Sequence, residues 1–175
     1  MPSVCVFCGS SNSVPGIFLD AAREAGRTFA AAGWTVVYGG ARNGLMGALA
    51  NSALEAGGRV VGVIPRTLVE REVAHRGLSE LHEVETLQER KVLMAELSDA
   101  FLILPGGFGT LDELFEVLTW GMLRLHSKPC VLVNTAGFYD ELLAFADKAG
   151  RTGFVPAESG RQLLVVPDPA RALTV

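Results

Sequence analysis

Residues 100–113 read Ala-Phe-Leu-Ile-Leu-Pro-Gly-Gly-Phe-Gly-Thr-Leu-Asp-Glu, an apolar strand that runs through a glycine turn into the start of a helix. Residues 100–104 carry no polar side chain, which is the pattern of a strand buried on both faces of a parallel sheet. Ligands of such sheets collect beyond the carboxyl ends of the strands. Gly106, Gly107 and Gly109 allow a sharp turn and close backbone approach, and a helix that opens at Thr110 directs free N–H groups and a positive dipole end outward. The stretch therefore reads as an anion site. The same residues also spell a capping box, Thr110-Leu111-Asp112-Glu113, with Thr at the N-cap and Glu three positions on. The local pattern leaves the two readings level.

Outward from this stretch, strands and helices alternate. Residues 3–8, 34–38, 59–64, 82–85, 129–133 and 163–166 read as further strands. Helices are expected over 15–32, from the alanine-rich run after Gly44 to Gly57-Gly58, and over 87–98, 111–125 and 139–149. Residues 66–80 are charged and weakly periodic, an excursion between elements. This alternation predicts an α/β fold, a Rossmann-like doubly wound parallel sheet flanked by helices on both faces. The 175 residues suit a single nucleotide-binding domain, 1–175, with no linker or repeat.

Composition excludes several classes. The net charge is −4 and the three lysines form no basic run, so there is no footprint for nucleic acid. No stretch reaches the length of a membrane span, and Met1-Pro2-Ser3-Val4-Cys5 lacks a signal core, so a cytoplasmic location is expected. A hydrophobic fraction of 49% leaves apolar surface that an oligomer interface would cover. Cys5 and Cys8 form C-x-x-C, yet positions three apart on a strand face opposite ways and no second pair follows. His75, His82 and His126 have no metal-ligand spacing.

A second glycine loop, Gly39-Gly40-Ala41-Arg42-Asn43-Gly44-Leu45-Met46-Gly47, also joins a strand to a helix. It does not match the dinucleotide fingerprint, and Leu45 stands where a Walker loop has lysine. Neither dinucleotide chemistry nor ATP hydrolysis is supported. Two glycine-lined strand ends remain, with an anion expected at one of them. The small polar loop Gly9 to Ser13 is a further candidate lining.

Thr86-Leu87-Gln88-Glu89 is another capping box, and Leu87, Leu93, Met94 and Leu97 form the apolar stripe of the helix it opens. Arg90 falls within that stripe. A buried guanidinium is always charged and needs a partner or a route to solvent. It either snorkels or pairs structurally, or it borders a pocket near Glu113; its place in the first helical turn favours the pocket. On the helix after Glu113, Leu111, Leu114, Phe115, Val117, Leu118, Met122 and Leu125 form the main stripe. Trp120 shares another face with Glu113 and Glu116, which suggests contact with a second subunit or an adenine-like ring, the subunit being favoured.

Pro105-Gly106-Gly107-Phe108-Gly109-Thr110-Leu111-Asp112-Glu113, with Glu89-Arg90-Lys91 upstream, resembles the LOG (LONELY GUY) family of cytokinin riboside 5'-monophosphate phosphoribohydrolases. Gly44-Leu45-Met46-Gly47, Phe7-Cys8-Gly9-Ser10-Ser11 and Leu118-Thr119-Trp120 extend the resemblance over most of the chain. It implies a homodimer that hydrolyses the N-glycosidic bond of N6-modified AMP, with no cofactor and no metal. It also implies catalytic roles for Arg90 and Glu113. Substrate contacts would come from Glu72, Arg90, Lys91, Gly107, Phe108, Gly109, Thr110, Leu111, Asp112, Glu113 and Thr119. Ala41 stands in place of a third consecutive glycine, adding a methyl near the expected substrate, and Leu87-Gln88 replaces Met-His. Two other readings stand beside this one: a nucleotide carrier or sensor that binds without hydrolysis, and a pyridoxal-phosphate decarboxylase with Lys91 as the Schiff base.

Overall fold

The computed structural model describes residues 1–69, 74–156 and 162–174. Seven strands, β1 (Ser3–Phe7), β2 (Thr35–Tyr38), β3 (Val60–Pro65), β4 (Glu80–Val84), β5 (Ala100–Ile103), β6 (Cys130–Val133) and β7 (Leu163–Val166), form one sheet. All neighbours pair parallel, in the order β4-β3-β2-β1-β5-β6-β7. The expected Rossmann-like α/β fold is the one observed. Residues of β1, β2, β3, β5 and β6 are buried throughout, because helices cover both faces. The edge strand β4, Glu-Leu-His-Glu-Val, is half-buried, which its charged residues permit.

Among the described residues six α-helices accompany the sheet: α1 (Gly16–Ala31), α2 (Gly44–Glu55), the short α3 (Arg66–Leu68), α4 (Leu87–Glu96), α5 (Phe108–Met122) and α6 (Asp140–Arg151). Side chains of α1 and α2 pack with Val4, Val6 and Cys8 on one face, while α4 and α5 pack with Cys5 and Phe7 on the other. Cys5 and Cys8 thus belong to opposite cores, and all three cysteines are free and buried. The chain runs outward from β1 to β4 and then returns to place β5 beside β1. The direction of winding reverses between these two strands, and the crevice beyond their carboxyl ends is the switch point of the sheet.

Several expectations are corrected. Helix α5 begins at Phe108 with Gly107 as its N-cap, and no side chain caps it. Thr110 is therefore the third helical residue and the Thr110–Glu113 capping box does not form. In α4, Arg90 and Met94 are the buried residues, whereas Leu87 is exposed. Phe115, Met122 and Leu125 are exposed too, while Trp120 packs against the core beside α4 and α5. Apolar periodicity identifies a face, and it cannot tell burial in a core from exposure.

Candidate functional site

The two glycine loops meet at the switch point, and their backbone bonds distinguish them. At the start of α2, the Gly44 N–H donates to Asn12 Oδ1 at 2.8 Å. The N–H groups of Leu45 and Met46 both donate to the Gly9 carbonyl, at 3.0 and 3.3 Å. The first intrahelical bond follows, from Gly47 to Asn43. Every first-turn donor of α2 is satisfied by protein.

At the start of α5 the first intrahelical bond runs from Leu111 N–H to Gly107 O at 3.0 Å. Among the described residues no acceptor meets the N–H groups of Phe108, Gly109 and Thr110. Cβ atoms built on Gly107 or Gly109 would find nothing within 4 Å. The open N-terminus is therefore that of α5, and an anion is favoured there by donors and dipole together.

This N-terminus opens on a cavity of about 560 Å³ lined by Arg90, Gly107, Phe108, Gly109, Thr110 and Glu113. Cys8, Gly9, Ser10 and Ser11 of the first loop form another side, and Leu45 and Met46 lie at the start of α2. Val14, Pro15, Phe18 and Phe138 add an apolar wall, in which the Phe18 and Phe138 rings meet edge-on at 5.3 Å. No helical or strand periodicity marks this wall in the sequence, because its residues come from the β1–α1 connection, the first turn of α1 and the connection between β6 and α6.

Arg90 is 4% exposed, although it stands on a short helix beside the sheet. Its Nε donates to Val63 O at 3.0 Å and an Nη to Gly39 O at 2.6 Å, so the guanidinium spans the ends of β2 and β3. Gly39 makes this possible, since its Cβ would stand 3.1 Å from Arg90 Cζ. The need for a glycine here is invisible without the arginine's position. Glu113 is 9% exposed, in the second turn of α5. The Cys8 thiol feels both charges: burial pushes its pKa far up, the Glu113 carboxylate pushes the same way, and the Arg90 guanidinium opposes both.

Among the described residues, the other sequence candidates do not line the cavity. Lys91 is largely buried beside it, with Nζ 3.0 Å from Asp112 and 2.9 Å from Glu116. Burial disfavours its charge, but the Glu116 and Asp112 carboxylates outweigh burial and raise its pKa. Gln88 donates to Glu116 at 3.2 Å, joining the same network. Leu111 packs against the core, and the Thr119 hydroxyl donates to Phe115 O at 2.7 Å on an exposed part of α5. Glu72 lies outside the described residues. Ala41 is fully buried in the core beside α1 and α2, so its methyl faces the interior rather than the cavity.

The family described as "possible lysine decarboxylase" matches residues 46–175. A cytokinin riboside 5'-monophosphate phosphoribohydrolase of Rhodococcoides fascians is 49% identical over 167 residues, covering 95% of this chain and 84% of that protein. The enzyme of the same name from Oryza sativa subsp. japonica, LOG, is 43% identical over 172 residues, covering 98% and 71%. Among solved structures, the molybdenum cofactor carrier protein of Chlamydomonas reinhardtii superposes with a TM-score of 0.74 at 23% identity, covering 99% of this chain and 94% of that one. At that identity the likeness concerns the fold alone.

Proposed function

The chain belongs to the LOG family, and from that premise we propose that it hydrolyses the N-glycosidic bond of AMP or N6-modified AMP to free base and ribose 5-phosphate. The observation that carries the reading is the convergence of three groups on one cavity: the open N-terminus of α5, the Arg90 guanidinium and the Glu113 carboxylate. In the proposed reaction the 5'-phosphate sits against the N–H groups of Phe108, Gly109 and Thr110. Anchored there, the ribose is held near Glu113, so binding energy from the non-reacting phosphate serves positioning.

Cleavage of the bond between C1' and the base builds positive charge on the ribose, as in glycoside hydrolysis. The Glu113 carboxylate stabilises that charge and accepts a proton from the attacking water. The water oxygen bonds to C1', the bonding electrons leave with the base, and the base takes up a proton. Arg90, fixed on two backbone carbonyls, keeps the local field favourable to an ionised Glu113. No cofactor enters this reaction.

A decarboxylase using pyridoxal phosphate would need a neutral lysine amine to form its Schiff base. The site does not fit that group, because Lys91 is held as the ammonium by two carboxylates. The homodimer belongs to the proposal and is supported by exposed apolar side chains: Leu87 and Val92 on α4, and Phe115, Met122, Leu123 and Leu125 on and after α5. A cytoplasmic location is likewise proposed; among the described residues no helix is long and apolar enough to cross a membrane.

The test is to incubate the protein with AMP and with N6-isopentenyl-AMP and to separate free base from nucleotide. Release of base and ribose 5-phosphate is expected. Nucleotide that binds and is recovered intact would overturn the hydrolase in favour of a carrier or sensor.

A further inference from the structure

The turn before α5 is held by more than its own glycines. Leu104 N–H donates to Phe7 O at 3.0 Å, and Gly9 N–H donates to Pro105 O at 3.1 Å. The Leu104 carbonyl accepts a bond at 2.8 Å from the hydroxyl of Tyr139, a residue only 2% exposed. The Gly106 N–H approaches the same phenol oxygen. The backbone is thus tied down up to the point where the open N–H groups begin.

The connection that carries Tyr139 is itself unusual. Ala136 has φ +53°, in the left-handed region that a residue with a Cβ rarely adopts, and Gly137 follows at +71°. Asn134 fixes what comes next, with its Oδ1 accepting from Tyr139 N–H at 2.8 Å and its Nδ2 donating to Asp140 at 2.7 Å. A strained, over-determined turn between β6 and α6 therefore ends in one buried hydroxyl on the loop before α5. Strain held in place by surrounding bonds points to a positional task.

We infer that Tyr139 is a positioning residue for the anion site: its hydroxyl sets the Leu104–Gly106 backbone and so aims the α5 N–H groups at the substrate phosphate. The kinetic arm of the test rests on the phosphoribohydrolase reading, whereas the binding arm does not. Tyr139→Phe keeps the ring and removes the bond to Leu104 O. It should weaken binding of ribose 5-phosphate, measured by calorimetry, by about tenfold, which is roughly what one hydrogen bond is worth. For a nucleoside 5'-monophosphate it should raise KM by a similar factor and leave kcat within about threefold.

Unchanged affinity for ribose 5-phosphate, or a loss of kcat and melting temperature with KM unaltered, would overturn the inference and reduce Tyr139 to a packing residue. Should Tyr139→Phe fail to fold, Asn134→Ala, which frees the Tyr139 backbone and spares the hydroxyl, must shift the same affinity in the same direction. Weakened ribose 5-phosphate binding in a protein that releases no base would sustain the positioning role and discard the hydrolase. A wild-type protein that does not bind ribose 5-phosphate at all would discard both.

Discussion

The loops 39–47 and 105–109 look alike in sequence, each a glycine turn from a buried strand into a helix, yet they do opposite things. In the first, a neighbouring loop fills every donor at the helix start: Asn12 takes one N–H and Gly9 takes two. In the second, the same class of donor is left open on a cavity that also holds Arg90 and Glu113. A glycine-rich strand-to-helix turn is therefore not an anion site by virtue of its glycines. What decides is whether the protein itself supplies the acceptors.

The hardest test of this contrast removes the chemistry while sparing both loops. Glu113→Gln should lower kcat for base release by about a thousandfold, the scale of a lost general base or charge stabiliser, with binding of ribose 5-phosphate retained. Retention of full activity would remove Glu113 from the reaction.

The next test exchanges glycine for alanine in each loop. A Cβ on Gly47 would stand 2.5 Å from the Arg42 carbonyl carbon, so Gly47→Ala should cost about 2 kcal/mol or more of stability in thermal denaturation. Gly109 has open space instead, and Gly109→Ala should stabilise the helix by about 0.5 kcal/mol. It should nevertheless raise KM for a nucleoside monophosphate by about tenfold, because the methyl would stand at the proposed phosphate position. Loss of stability in both variants, or in neither, would break the comparison.

The smallest effect concerns the ion-pair network beside the site. The folded protein holds the Lys91 proton more tightly than the unfolded chain does, since its pKa is raised above the ordinary 10.5. The resulting stability is complete below that value and is lost as pH rises through the folded pKa. The difference in melting temperature between the wild type and Lys91→Met should therefore be flat from about pH 6 to about pH 9 and should shrink above about pH 10.

Much of this was legible before the structure. The apolar run Ala100 to Leu104 fixes a central strand, and alternation along the chain fixes a parallel sheet. Arg90 was conspicuous because helical spacing put a charge among apolar residues, and it is indeed buried. The start of α5 was misplaced by three residues because Thr110–Glu113 fits a capping box as well as it fits a helix interior. Only the backbone at Gly107 separates these. With Gly107 as the N-cap, the Glu113 carboxylate lies about a turn further into the helix than the capping box would place it. Neither the apolar wall nor the clamp from Tyr139 was readable, because both join segments that no local pattern connects.

The Gly9 peptide gives the site a property of a different kind. Its N–H reaches Pro105 and its carbonyl reaches Leu45 and Met46, so three segments distant along the chain are joined at a single residue. Such contacts close long loops, and each costs chain entropy that the native packing must offset. Loosening this one residue would therefore release the turn before α5 and the start of α2 together.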